Sequence, residues 1–429
     1  MPRKSTKIVP ELNSDQKDKF SIINPPLEGK KEDNNRVGIE GVKKIQDTRN
    51  KEEVKSVATP VRLEVIQGVL EIMPEGQGFI RPKFNPGQKD AVIASMQIRR
   101  YNLRAGDMVL GVAKAPKENE KYWALVRIDK VNGESLTEAQ KRPEFKDLVP
   151  IYPIKQVKLE FDPKVTSTRI IDIFSPIGFG QRGMIVSPPK AGKTTLLKEI
   201  AAGVAANYPD VHLMAVLVGE RPEEVTDMQR FIKGEVIASH FDQKPEEQTR
   251  AAEIAIERAK RLVEMGKDVF MVFDSITRLA RAYNLAIPTS GRTLSGGFDP
   301  AALYPSKRFF GAARKIENGG SLTIIGTALV DTGSKMDELI FEEFKGTGNM
   351  ELRLERKLAE RRIFPSFDIL KSGTRKEELL LNGETLNRVM ALRRMFDNLD
   401  DKDQMTELVI EQMNKTENND EFMKKIGKR

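Results

Sequence analysis

One short segment constrains this chain more than any other. Gly183-Met-Ile-Val186 is an apolar run of strand type, Ser187 to Gly192 is a loop, and Lys193 to Ala206 carries Leu196, Leu197 and Ile200 at helical spacing. Strand, loop and helix in that order, with Ser187-Pro-Pro-Lys-Ala-Gly-Lys-Thr194 at the bend, is the context a phosphate-binding loop requires. Gly192 lets backbone N–H groups close on phosphate at a helix N-terminus. Lys193 supplies a cation to the β and γ oxygens, and the Thr194 hydroxyl suits a magnesium ligand. Ser187 stands where the strict pattern has glycine.

Two further apolar runs end on carboxylates. Val269-Phe-Met-Val-Phe273 leads into Asp274 and follows a helix expected from about Pro245 to Met265, which Gly266 closes. An Asp at the C-terminal end of a buried parallel strand sits where open α/β sheets bind ligands, suited to hold the water shell of Mg²⁺. Leu213-Met-Ala-Val-Leu-Val218 runs into Gly219-Glu220-Arg221. Glu220 there is either the base that orients and deprotonates an attacking water, or a cap or salt-bridge partner for the acidic helix that follows. Two loops rich in Gly and Ser each carry a cation, Arg292 in Thr289–Gly297 and Lys335 in Asp331–Lys335, and suit a grip on a polyanion beside the nucleotide.

The 429 residues are more than one domain needs, and four regions are expected. Residues 1–60 are charged, with Phe20 the single aromatic, and read as a mostly disordered arm. Residues 61–130 hold five short β-type runs separated by turns, suiting a small five-stranded barrel of the OB type. The runs are Val69–Ile72, Gly78–Arg81, Ala91–Ala94, Met108–Val112 and Tyr122–Ile128. Residues 131–175 read as a proline-interrupted connector, and residues 176–429 as an α/β domain with a helical, charged end from about Asn387. The net charge of +8 leans toward a nucleic-acid partner. With no cysteine and only His212 and His240, disulfides, Fe–S clusters and His-rich metal sites are excluded, while an oxygen-ligated divalent cation stays open. No apolar run approaches the ~20 residues that span a bilayer, so a soluble, cytoplasmic protein is expected.

The longest strings resemble one family. Gly180-Gln-Arg-Gly183, Pro188–Thr194, Glu220-Arg-Pro-Glu-Glu-Val-Thr226 and Asp274-Ser-Ile-Thr-Arg-Leu-Ala-Arg-Ala-Tyr-Asn284 are similar to the bacterial transcription termination factor Rho family. Phe309–Arg314, Gly333–Asp337, Glu343–Glu351 and Ser372–Glu378 extend the match. The resemblance implies a RecA-like α/β P-loop ATPase domain preceded by a small all-β barrel of the OB or cold-shock type. It also implies a homohexameric ring that hydrolyses ATP with Mg²⁺, pulls single-stranded RNA 5′ to 3′ through its centre and dislodges RNA polymerase.

Residue by residue, it implies ATP contacts at Gly178, Phe179, Gly180, Gln181, Arg182 and Gly183, at Lys190, Ala191, Gly192, Lys193, Thr194 and Thr195, and at Arg221 and Phe364. Catalytic roles fall to Glu220, Lys193, Arg375 as an arginine finger acting on the neighbouring subunit, and Arg362 in support; Thr194 and Asp274 serve the metal. A primary RNA site is implied at Gly76, Gln77, Gly78, Phe79, Ile80, Arg81, Glu120, Lys121 and Tyr122, and a secondary one in the pore at Thr293, Leu294, Ser295, Gly296, Gly297 and Lys335. Without the family, Phe79 and Phe364 read more readily as core residues. Tyr122 and Trp123 are neighbours on one strand and face opposite ways, so one of them at most can meet RNA.

The chain also departs from the family pattern. Gln77 replaces a Phe, a Tyr is missing near Val92, and Phe179 replaces a Lys. A primary site with fewer aromatic faces is expected to bind more weakly or with less preference for pyrimidines. Rival readings are a ring ATPase of the rotary or flagellar-export type, and an RNA-binding module whose nucleotide is structural.

Overall fold

The computed structural model describes residues 62–397 and 403–426; the expectation for the charged arm lies outside them. Five strands close into a barrel: β1 (Leu63–Ile72), β2 (Gly78–Arg81), β3 (Ala91–Ile93), β4 (Met108–Lys114) and β5 (Trp123–Val131), in the order β1-β2-β3-β5-β4. Side chains alternate across a strand, so Val109 and Ala113 fill the barrel with Leu70, Ile80, Ile93 and Trp123 while Leu110 and Val112 face outward. β1 begins at Leu63, well before the run Val69–Ile72 from which it was expected, and this extension pairs with β4 from Leu63–Lys114 to Val69–Met108. Leu63 and Val65 are exposed, which hides the inside–outside alternation that would have marked the strand.

The stretch read as a connector is partly regular. It contains the helix Leu136–Lys141, opened by a Ser135/Glu138 capping box, the short β6 (Pro150–Ile151) and the helix Thr166–Phe174. All nine residues of that last helix are buried, Arg169 and Asp172 included, so polar residues lie where a reading from sequence expects solvent. Within it, the fully buried Arg169 guanidinium donates to Met413 O and Thr416 O, both at 2.9 Å, to Thr416 Oγ1 at 2.7 Å and to Asn419 Oδ1 at 3.3 Å. These bonds fasten the helices Asp403–Met413 and Asn419–Ile426 to the domain. Arg169→Met strands two buried carbonyls and is expected to cost about 3 kcal/mol. Hydrogen exchange should then show these two helices opening before the sheet does.

The remaining strands are β7 (Arg182–Ser187), β8 (His212–Glu220), β9 (Glu235–His240), β10 (Asp268–Asp274), β11 (Arg314–Ile316), β12 (Ser321–Leu329), β13 (Met350–Leu354) and β14 (Phe367–Thr374). Seven run in the order β14-β13-β7-β12-β10-β8-β9, all parallel except β14, while β11 adds antiparallel to β12 and β6 to β11. Helices cover both faces, which is why β8, β10 and β12 read as continuous apolar runs. The helix Pro245–Glu264 lies between sheet and barrel: a β-carbon on Gly106 of the barrel would come within 2.3 Å of the Glu257 carbonyl carbon. Arg104 of the barrel reaches Glu264 at 3.0 Å, and Arg258 of the helix reaches Asn132 at 2.8 Å. Among the described residues no helix is long and apolar enough to cross a membrane.

Candidate nucleotide and nucleic-acid sites

The phosphate-loop sequence lies between β7 and the helix Lys193–Asn207. Gly192, the residue before that helix, has φ +93°, a conformation open to glycine at little cost. Ser187 is fully buried and its hydroxyl donates to Pro188 O at 2.9 Å, so the departure from glycine is absorbed within the loop. A cleft of about 510 Å³ opens here, lined by Lys190, Gly192, Thr195 and Phe364. Phe364 is 47% exposed, its ring 3.6 Å from where a Gly192 β-carbon would stand; it is not a core residue. Arg362 and Arg221 are exposed, and Arg221 pairs with Glu224 at 2.9 Å.

Side chains from three strand ends and the helix converge beside the loop. Lys193 Nζ lies 2.5 Å from Asp274 Oδ2 and 3.5 Å from Glu220 Oε1, and Asp274 Oδ1 accepts from Thr327 at 2.7 Å. Burial disfavours the Lys193 charge, but Asp274 and Glu220 outweigh it and hold its pKa above the usual value. Thr194 Oγ1 donates weakly to Glu224 at 3.5 Å. Glu220 owes its position to a bulge: Leu217 pairs with Ala238 and Glu220 with His240, so β8 spends one residue more than β9 between the same points.

Glu220 is 1% exposed, and neither carboxylate oxygen carries a hydrogen bond, although Arg278 Nε stands 3.0 Å from Oε1. Burial pushes its carboxyl above the usual range, and the Asp274 charge adds to this, against the pull of Lys193 and Arg278. It does not cap the helix Pro222–Phe231, whose N-cap is Arg221. Asp274 and the Thr194 hydroxyl offer an all-oxygen donor set, and the two orphaned Glu220 acceptors beside them are open to hydrogen bonds from water. That set fits hydrated Mg²⁺, which takes one or two carboxylates and keeps several waters. Arg278 and Glu224 were missed from sequence; the available signal was the position of Arg278 one helical turn beyond Asp274.

Other expected contacts lie elsewhere. Gly178 to Gly183 sit at the start of β7, the opposite end from the phosphate loop, and do not line its cleft. Phe179 is buried edge-on against Tyr208, with ring centroids 5.4 Å apart, and so serves the core. A β-carbon on Gly180 would come within 2.2 Å of Lys315 N, while Gln181 and Arg182 bond Asn349, Thr347 O and Ala313 O. Gly180, Gln181 and Arg182 instead line a second cleft of about 530 Å³ together with Arg314, Arg375 and Lys376, and no carboxylate lines it. Arg375 and Arg362 are therefore not brought together within one chain.

On the barrel, Phe79 and Tyr122 are half-buried and meet edge to face, with centroids 5.0 Å apart. Lys121 Nζ lies 5.3 Å from the Tyr122 ring and the Arg81 guanidinium 4.9 Å from the Phe79 ring. Trp123 turns into the core, opposite to Tyr122. Ile80 and Gly78 are buried, so Ile80 can offer a ligand only its main chain. Arg81 is also buried, tied to Glu71 and Asp90, which limits it as a direct contact. Gly76, Gln77, Glu120 and Lys121 form the exposed or half-exposed edge, and Val92 lies directly across from Phe79. The loops of the expected secondary site do meet: Thr293 to Gly297 are exposed, and a Gly296 β-carbon would come within 2.6 Å of Met336 N, beside the exposed Lys335.

Comparison with known proteins matches residues 66–137 to the Rho termination factor RNA-binding domain and residues 167–374 to the nucleotide-binding domain of the ATP synthase alpha/beta family. Transcription termination factor Rho of Bacillus subtilis is 55% identical over 371 residues, 86% of each chain. That of Thermotoga maritima is 54% identical over 365 residues, 84% of this chain and 85% of its own. Among solved structures, a type III secretion system ATPase aligns with TM-score 0.53 at 23% identity, over 66% of this chain and 86% of its own. An ATP synthase subunit of Nanoarcheaum equitans aligns with TM-score 0.53 at 17% identity, over 65% and 77%, and both likenesses show the shared ATPase fold. With relatives this similar along most of its length, an RNA-binding barrel and an ATPase domain, the chain belongs to the transcription termination factor Rho family and is an ATP-hydrolysing enzyme.

Proposed function

We propose that six copies form a ring that hydrolyses ATP with Mg²⁺, draws single-stranded RNA 5′ to 3′ through its centre and dislodges RNA polymerase, in the cytoplasm. What supports this reading is a separation of charges between the two ends of one sheet. Glu220, Lys193 and Asp274 stand at the phosphate loop, and at the far end Arg182, Arg314, Arg375 and Lys376 line a cleft with no carboxylate among its described residues. A neighbour's Arg375 completes the site, so turnover depends on assembly.

In this reading Lys193 and the loop N–H groups grip the β and γ phosphates, and Thr194 and Asp274 hold the metal, which when bound neutralises phosphate charge. Glu220 takes a proton from the attacking water; its raised pKa makes it the stronger base. Arg221, Arg362 and Phe364 edge the nucleotide, Phe364 against adenine. The division proposed is a barrel over 61–130, a connector over 131–175 and an ATPase domain over 176–429. Phe79, Tyr122 and the edge around Gln77 and Lys121 hold incoming RNA, and Thr293–Gly297 with Lys335 grip it in the pore.

ATP turnover measured with and without cytidine-rich RNA tests this. Strong stimulation is expected, and no stimulation by any single-stranded RNA overturns it in favour of a protein-threading ring. Phe79→Ala is expected to weaken RNA binding by about 1–3 kcal/mol, the worth of one stacked base, in a fluorescence-anisotropy titration. With Val92 opposite Phe79 and Gln77 at the turn, preference for cytidine over adenosine runs should be modest.

A further inference from the structure

The first turns of the helix Pro245–Glu264 touch both proposed working sites. On one side Gln248 packs against Gly219, the residue before Glu220. Gly219 has φ +64°, and a β-carbon there would lie 2.8 Å from Gln248 Oε1. Gln248 is fixed in turn, its Nε2 donating to Gln243 O at 3.0 Å, while Gln243 Oε1 accepts from His240 N at 2.7 Å. Gly219 N donates to Ser239 Oγ at 3.2 Å. The bulge that aims Glu220 is thus held between β9 and Gln248.

Two residues further on, the same helix grips the barrel. Arg250 donates to both oxygens of Glu71, at 2.5 and 2.8 Å, and to Phe84 O at 2.8 Å. Glu71 stands directly across from Phe79 on the paired strands and also accepts from Arg81, whose guanidinium lies beside the Phe79 ring. Glu71 and Arg250 are mostly buried, so solvent and salt screen this pair little. Phe79, Arg81, Glu71, Arg250, the helix, Gln248 and Gly219 form an unbroken line of contacts ending at Glu220.

We propose that Gln248 is a positioning residue for Glu220, and that Arg250 makes this positioning answer to RNA on the barrel. The inference rests on the reading of the barrel face as the primary RNA site and of Glu220 as the base. A ligand can shift such a linkage only if it interacts differently with its two states. Here the difference is made at Arg81, which stays buried. A base stacking on Phe79 displaces the ring against which the Arg81 guanidinium lies, weakens the Arg81–Glu71 pair and leaves Glu71 to Arg250 alone. The first turn of the helix is then drawn toward the barrel, and Gln248 shifts against the Gly219 bulge.

The test uses the full chain and a short cytidine-rich oligonucleotide, with oligonucleotide affinity and ATP turnover measured together. Wild type unstimulated by RNA defeats the functional reading itself; the variants are scored against a stimulated wild type. Arg250→Met is expected to keep oligonucleotide affinity and unstimulated turnover within about twofold while losing about tenfold of the RNA-stimulated rate, a coupling of ordinary size. Arg250→Lys, which keeps the charge pair, should retain most of the stimulation. Should Arg250→Met not fold, Glu71→Gln removes the charge from the same pair and from Arg81 as well, so it is read on the RNA-stimulated rate alone, which should fall likewise. Gln248→Ala should lower kcat about tenfold with KM for ATP unchanged, since misplacing a base slows chemistry rather than binding. Full stimulation in Arg250→Met or Glu71→Gln, or normal kcat in Gln248→Ala, overturns the proposal.

Discussion

Arg375→Ala is expected to leave ATP binding nearly intact and to lower turnover about 10³- to 10⁵-fold, the effect of removing an arginine finger. The strand registers explain why. β13 runs parallel to β7 with Met350 beside Gly183, and β14 runs antiparallel with Thr374 beside Met350, so Arg375 lies at the start of β7. The phosphate loop begins beyond Ser187, at its end, roughly 13 Å away along the strand at 3.3 Å per residue. The guanidinium therefore cannot serve the nucleotide of its own chain, and binding and turnover should separate in the variant. Mixing Arg375→Ala with Lys193→Ala tests the trans geometry, because in a mixed ring both defects meet at some interfaces and leave others with a whole phosphate loop and a whole finger. Recovery of turnover on mixing is the expected result. Loss of ATP affinity by Arg375→Ala in an intact ring rules the role out.

Glu220→Gln should lower kcat about 10²- to 10⁴-fold, the usual worth of a general base, with ATP affinity little changed. The pH profile adds a second readout. Burial, then Asp274, raise the Glu220 pKa. Because turnover needs the carboxylate, the acid limb of kcat/KM, which reports the free enzyme, should lie above that of an ordinary carboxyl group and vanish in the variant. Stability should move the other way. A carboxyl whose folded pKa exceeds its unfolded one binds its proton more tightly in the folded chain, so stability gains as pH falls through the folded value and is reduced above it. At neutral pH, Glu220→Gln is accordingly expected to be at least as stable as wild type in thermal melts. A marked loss of stability would make Glu220 a structural ion-pair partner instead.

Much of the architecture was legible because it is written in local patterns. The phosphate loop joins a strand run to a helical period, and β8 and β10 are apolar up to Glu220 and Asp274, so sequence located both carboxylates at the rim. That Tyr122 and Trp123 face opposite ways followed from alternation; which of them faces outward was taken from the family resemblance. Where burial departs from residue type, so did the reading. The helix Thr166–Phe174 buries Arg169 and Asp172 together with its apolar residues, and the start of β1 presents Leu63 and Val65 to the outside. Gly178 to Gly183, expected at the nucleotide from the family resemblance, are divided from the phosphate loop of their own chain by the length of β7.

The sequence by itself determined the two folds, the nucleotide chemistry and the family, since each depends on residue types at short, regular spacings. Only the tertiary structure decided which groups share a site. The β8 bulge aims Glu220 at Lys193, strand order sends Arg375 to the far end, and Arg81 is committed to Glu71 and Asp90 instead of standing free for RNA. These are matters of long-range register and of which charges find each other on burial. No local pattern encodes them, because the partners are brought together by packing across the sheet and onto the helix Pro245–Glu264.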